Sequence, residues 1–157
     1  MMLIGRIEKQ EGPFWSAECP SIGAYTQGRS RADAADMLRE VVELMVGQAD
    51  FKATVTELGP DDGGFAVYVS ASEPAKLAAL VLRYQREIHK LSLADVAEKL
   101  GASSRNAYAS YEQGKREPSL GKYLELLAVV APDLVLAVTP RAATKARVAA
   151  KRRARRA

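Results

Sequence analysis

The chain has 157 residues, a formal net charge of +4, one histidine and one cysteine. A lone cysteine, Cys19, excludes an intramolecular disulfide, a four-cysteine zinc site and a CxxC redox pair, and the lone His89 excludes a multi-histidine metal centre. Residues 1–73 carry 6 basic and 12 acidic side chains, residues 74–140 carry 9 and 7, and residues 141–157 carry 8 and none, so an acidic front is followed by a basic middle and a strongly basic end.

In chain order, residues 3–9 are compatible with a strand. Residues 14–19 alternate, with Trp15, Ala17 and Cys19 on one face and Ser16 and Glu18 on the other. The break at Glu11, Gly12 and Pro13 predicts that these two strands form a hairpin. A short extended stretch, residues 24–27, ends at Gly28. Ser30 with Asp33 three residues on then has the form of a capping box. The helix it opens places Ala34, Leu38, Val41, Val42 and Met45 on one side and stops at Gly47. The period returns to two at Phe51, Ala53 and Val55; a turn over residues 59–64 and a further strand over residues 65–70 complete a β-β-β-α-β-β order.

Glu73-Pro74 marks a boundary, because proline disfavours helix at the residue before it and suits a helix start. Beyond it the pattern is helical. Leu77, Leu80, Val81, Tyr84 and Ile88 form the inner stripe of a first helix, with Arg83, Arg86 and Glu87 outside. Ser92 and Asp95 form a second capping box, opening a short helix with Leu93, Val96, Ala97 and Leu100 inward and Gly101 at its end. Ser103 or Ser104 caps a third helix reaching Gln113, with Tyr108 and Tyr111 toward the core, and Gly114 closes it. Pro118 and Ser119 introduce a fourth over residues 120–130, and Pro132 ends the bundle. Residues 133–138 are rich in Val and Leu and read as a strand that pairs with a second copy, or as a packed extension. The expected fold class is therefore α+β: a small antiparallel sheet with one helix over residues 1–72, an all-α unit with a C-terminal strand over residues 74–139, and a basic unfolded tail over residues 140–157.

Two short helices meeting at a glycine, with small Ala97 where they pack, meet the requirements of a helix-turn-helix. LADVAEKLG followed by YEQGKREPSL resembles the Xre/Cro-type repressor domain over residues 75–131. The resemblance implies that Glu112 and Gly114 close the recognition helix and that Pro118 and Ser119 start the next. Two departures stand out: the stretch from Gly101 to Glu112 is one residue longer than is usual, and Leu93 occupies a position often held by a polar DNA contact. By position, Ser104, Arg105, Asn106 and Ser110 are the candidates to meet base edges, Arg suiting guanine and Asn adenine, and Ser103 beside them is a further DNA-binding candidate. Lys115, Arg116 and Lys122 are candidates for phosphate contact, and the tail for sequence-independent contact.

The N-terminal half, through its first hairpin, the CPSIGAYTQG stretch and the helix after Ser30, is similar to the HicB family of antitoxins, whose domain resembles a partial ribonuclease H fold (β-β-β-α-β). A helix-turn-helix following such a domain strengthens the likeness. The resemblance implies a type II antitoxin that masks a small basic ribonuclease toxin of the HicA type and represses its own operon. The net charge of −6 over residues 1–73 independently suits a cover for a cationic RNA-binding protein. Candidate toxin-binding residues are Trp15, Glu18, Tyr25, Asp61 and Asp62, with a core role for Trp15 as the alternative.

Catalysis is not expected, since no constellation of carboxylates for two metal ions stands out, and neither cofactor nor metal is implied. Cys19 reads as a buried small hydrophobe and His89 as a helix cap or surface residue. No segment approaches the roughly 20 apolar residues of a membrane span, so a cytoplasmic protein with no membrane partner is expected, acting on operator DNA as a homodimer or a tetramer. The alternatives are a stand-alone repressor with a sensor or dimerisation domain and, more remotely, a metal-dependent ribonuclease.

Overall fold

The computed structural model describes residues 1–101 and 105–137. Strands β1 (Met2–Lys9), β2 (Trp15–Cys19), β3 (Ala24–Gly28), β4 (Ala53–Asp61) and β5 (Gly64–Ala71) form one antiparallel sheet in the order β3-β2-β1-β5-β4. Helix α1 (Arg31–Val46) lies between β3 and β4 in sequence and covers one face of the sheet, burying Ala34, Leu38 and Val42. Ser30 caps it by accepting from the Asp33 amide. The Asp33 carboxylate accepts from the Arg29 amide, one residue earlier than a capping box requires, so only half of that motif forms. The observed α+β order β-β-β-α-β-β agrees with the sequence pattern.

The turn expected over residues 59–64 is shorter than that. Strand pairing continues through Pro60 opposite Phe65 and Asp61 opposite Gly64, leaving a two-residue turn at Asp62 and Gly63. Both have positive φ, 28° and 85°, as a type I′ turn requires, and Asp-Gly is a preferred pair for it. Pro60 is tolerated because β4 is an edge strand, and a register shift between Glu57 and Gly59 accommodates Leu58.

Four helices follow: α2 (Pro74–Ile88), α3 (Leu93–Lys99), α4 (Arg105–Glu112) and α5 (Leu120–Val130). A complete capping box at Ser92 and Asp95 opens α3, and Ser119 caps α5. Helix α2 departs from its predicted single stripe. Leu77, Ala78, Ala79, Leu80, Val81, Leu82 and Gln85 are all buried, whereas Ile88 is 47% exposed and Arg86, placed outside by the sequence pattern, is largely covered. A helix that packs on elements from both halves of the chain has to bury more than one face. Helix α2 contacts α1, β5 and the 3₁₀ turn Pro20–Ile22 on one side and α4 and α5 on the other, and the buried apolar residues of both halves form one continuous core. Residues 134–137 form neither helix nor strand in the single chain; Leu134 packs on the core while Val135 and Leu136 are exposed. Residues 138–157, including the basic tail, lie outside the described residues.

The sheet side of the α2 joint is tight. The Gln85 side-chain amide donates to the Ser21 carbonyl (2.9 Å), and Arg83 donates to the Met45 carbonyl (3.0 Å). A Cβ added at Gly23, φ 65°, would lie 2.3 Å from the Tyr84 ring, whereas one at Gly101, φ 61°, would meet open space. Gly101→Ala should therefore cost only the left-handed backbone term, about 1–2 kcal/mol, while Gly23→Ala adds overlap of about 1–3 kcal/mol. Urea denaturation of the two variants measures the difference; equal losses would mean that Tyr84 moves aside freely.

Candidate nucleic-acid interface

Helices α3 and α4 pack against each other across Gly101, and α4 is held from behind by α2. Tyr108 is buried and donates its hydroxyl to the Leu82 carbonyl (3.4 Å). Burial, then the neighbouring Glu112 carboxylate, pushes its phenol well above the ordinary range. One turn on, the Glu112 side chain is 6% exposed and takes two hydrogen bonds from Arg86, 2.7 Å from Nε and 3.1 Å from Nη2. Arg86 Nη1 also donates to the Leu91 carbonyl (2.9 Å). One guanidinium thus ties the end of α2, the α2–α3 connection and the end of α4 together. The hydrogen bond to Glu112 raises the pKa of Arg86, which stays a cation. Sequence reasoning placed Arg86 outside and assigned Glu112 only a terminal position. The available signal was the four-residue spacing from Tyr108, which puts a carboxylate on the buried face and calls for a cation from another helix.

With its back fixed, α4 presents Arg105 and Asn106 exposed at its N-terminal end. Ser110 is partly buried, and its hydroxyl donates to the Ala107 carbonyl (2.8 Å), so that proton is engaged within the helix. Lys115 and Arg116 are exposed just past the other end of α4, where their amides share the Ser110 carbonyl (3.0 and 3.2 Å). The Arg116 guanidinium lies over the Tyr111 ring, 5.4 Å from its centroid. Lys122, in the first turn of α5, pairs with Glu125 at 3.0 Å. The candidates therefore divide into an N-terminal pair and a C-terminal basic pair at opposite ends of a helix about 12 Å long, with Lys122 partly engaged by its own helix. Ser103 and Ser104 lie outside the described residues.

The candidates on the sheet separate differently. Glu18 and Tyr25 are direct cross-strand neighbours on the face that α1 leaves uncovered. Asp61 and Asp62 are exposed at the β4–β5 hairpin, whose tip is drawn toward this face by a hydrogen bond from Arg6 to the Asp62 carbonyl. Trp15 lies on the opposite, helix-covered face, partly buried, with its ring 6.2 Å from that of Phe65 and Lys9 Nζ 5.6 Å from its centroid. Ser16 shares the open face with Glu18, as the alternation predicts, yet is buried, accepting from Gln10 Nε2 (2.7 Å).

His89 ends α2, its Nδ1 2.8 Å from the Gln85 carbonyl and its Nε2 3.2 Å from Asp133. Cys19 is fully buried, and desolvation lifts its thiol to about 11. Among the described residues no group of three His, Cys, Asp or Glu side chains is placed to hold a metal ion, and no helix is long and apolar enough to cross a membrane.

Residues 82–129 match the family model described as helix-turn-helix, and this segment coincides with the end of α2 through α5. No curated protein and no solved structure matches the chain. The fold and the match together define the class: a DNA-binding transcription regulator whose DNA-binding part is a helix-turn-helix.

Glu112→Ala leaves a largely covered guanidinium with only the exposed Glu87 carboxylate, 3.5 Å away, as counter-charge, and should lower stability by about 3–5 kcal/mol. Arg86→Met combined with Glu112→Leu should cost far less than the sum of the single changes. Denaturant midpoints of the three variants check this, and additive losses would show the pair to be uncoupled. For Cys19 the folded thiol is the more basic one, so its contribution holds below the unfolded value of 9.0 and declines as pH rises from there toward about 11. Thiol labelling of the native protein at pH 8 should be far slower than that of the unfolded chain.

Proposed function

We propose that this protein is the antitoxin of a type II toxin-antitoxin system, in which the sheet unit, residues 1–72, binds and inhibits a HicA-type mRNA interferase and the helix-turn-helix unit, residues 74–139, represses the operon encoding both. The observation that carries the reading is the union, through α2, of an acidic segment, residues 1–73 with net charge −6, with a helix-turn-helix. The acidic unit is poorly suited to phosphate and well suited to a cationic protein. The likeness of the CPSIGAYTQG stretch and its flanking elements to HicB antitoxins adds to this. The role is one of binding, without a catalytic step, cofactor or metal, carried out in the cytoplasm.

On this reading Arg105 and Asn106 read base edges, while Lys115, Arg116 and the residues beyond 140 meet phosphates. The protein works as a homodimer, or a tetramer, on two operator half-sites about one duplex turn apart. Exposed Val135 and Leu136, without a strand partner in the single chain, support pairing with a second copy there. A second reading, a stand-alone repressor whose sheet unit senses a ligand or dimerises, is favoured by the family match lying wholly within the C-terminal half.

A native pull-down of the tagged chain from its own cells separates the two. A small basic protein in fixed ratio, toxic when expressed alone and harmless with this chain, supports the antitoxin reading, and its absence leaves the plain repressor. On operator DNA, Arg105→Ala should cost about 1–3 kcal/mol and relax preference at one base pair. Lys115→Ala should weaken all sequences alike and reduce the salt slope by about 0.9. Binding titrations at several salt concentrations measure both, and an unchanged preference with Arg105→Ala would remove it from base reading.

A further inference from the structure

The sheet has one covered face and one open face. α1 and α2 lie over the face formed by Leu3, Ile7, Ala17, Cys19, Val67 and Val69, all buried. On the other face, Met2 is 53%, Ile4 64% and Tyr25 57% exposed, and among the described residues no helix covers them. Charged residues sit among these apolar ones, and their pairing is uneven. Arg6 stands opposite Glu18 in register, yet its guanidinium pairs with Glu8 (Nε to Oε1, 2.7 Å) and reaches the Asp62 carbonyl. Glu18 is left without an ion-pair partner among the described residues, exposed, and beside Tyr25. Asp61 and Asp62 at the adjoining hairpin carry no ion pair there either. The exposed side of α1 carries ion pairs of Arg39 with Glu40 and Glu43, at 3.2 Å each, and of Arg31 with Glu57 of β4 at 3.0 Å, with Asp36 outside them, and lacks the neighbouring exposed Met2, Ile4 and Tyr25 of the open sheet face.

We propose that the open face of the sheet, centred on Ile4, Glu18 and Tyr25, is where the cationic protein partner docks, with a Lys or Arg of the partner meeting Glu18 and apolar side chains covering Ile4, Met2 and Tyr25. This deepens the antitoxin reading and rests on it. An unpaired carboxylate inside an exposed apolar surface suits a partner that brings both a cation and apolar area, as the core of a protein interface does. Charge complementarity selects the occupant: a second copy would bring a second acidic segment, residues 1–73 with net charge −6, to the same face, whereas a basic protein relieves that charge. Trp15, on the covered face, takes no part.

The test places a photo-crosslinking benzoylphenylalanine at position 4 or 25 on the open face, or at position 44, where Leu44 is exposed on α1, in the full chain in its own cells. The expected result is an adduct from positions 4 and 25, and not from 44, with the small basic protein that is toxic when expressed alone. Glu18→Lys should reduce that adduct at least tenfold while operator binding persists, showing that the chain remains folded. Asp36→Lys, on the exposed side of α1, should leave it unchanged. Changing the partner's mapped Lys or Arg to Glu should restore the complex with Glu18→Lys. An adduct with the same protein from position 44 alone would overturn the choice of face and leave the antitoxin reading standing. An adduct with a second copy of this chain from position 4 would make the face a self-interface and overturn the proposal. No protein adduct from any of the three positions would remove both the proposal and the reading beneath it.

Discussion

The bidentate pair between Arg86 and Glu112 is the contact that fixes α4 on α2, the helix that also holds the sheet. A carboxylate so nearly buried is tolerable only with its counter-charge held in place, because desolvation of either ion alone outweighs what its surroundings return. The pair adds little net stability over a well-packed apolar substitute; what it supplies is direction. Two hydrogen bonds from a planar guanidinium fix both the position and the roll of the end of α4, and the third, to the Leu91 carbonyl, fixes where the chain leaves α2 for α3. The face that α4 shows to solvent follows from what its back is tied to.

The same helix that supplies Arg86 also holds the sheet, and five consecutive residues show how. Leu82 offers its carbonyl to Tyr108, Arg83 reaches Met45 at the end of α1, Tyr84 fills the space that Gly23 leaves open, Gln85 bonds to Ser21, and Arg86 returns to α4. The chain turns about 100° per residue in a helix, so successive side chains naturally serve different neighbours. The Cys19-to-Gly23 stretch thereby has a structural role, because its 3₁₀ turn is the seat for α2. A cavity of about 80 Å³ between α1, α2 and the end of α4, lined in part by Lys76, Arg83 and Glu112, marks where this joint is less closely packed.

What could be read from the sequence was what depends on local chemistry. The Ser92 and Asp95 box, the glycine after α1, the Pro74 start and the α5 cap were legible because each is decided within four or five residues. The errors came from partners distant in the chain. Ile88 falls on the apolar stripe of α2 by spacing, yet it is 47% exposed, while Arg86 is drawn inward by Glu112, 26 residues away. The six-residue turn was over-counted because Gly and Pro marked it as a loop, although Pro60 sits on an edge strand that can do without its amide. Among the candidate contacts, alternation correctly separated Trp15 from Glu18, but it does not say which side of a sheet a helix will cover. That was settled by how α1 crosses back from β3 to β4.

Electrostatics constrains how the two halves can work together. If the recognition helix lies in the major groove, the acidic unit is carried beside a polyanion by a joint made of packed side chains and directed hydrogen bonds, with no loose linker at Glu73-Pro74. Repulsion at a Debye length of about 8 Å is tolerable only if the carboxylates stand away from the duplex, so the orientation fixed by Arg86 and Glu112 also decides whether DNA can be approached. A cationic protein bound to the sheet would neutralise part of that charge and weaken the repulsion without touching the recognition helix. On the antitoxin reading, partner and operator are thus coupled first through charge, a coupling that rises as salt falls, and any mechanical coupling through α2 would be the part that salt leaves behind.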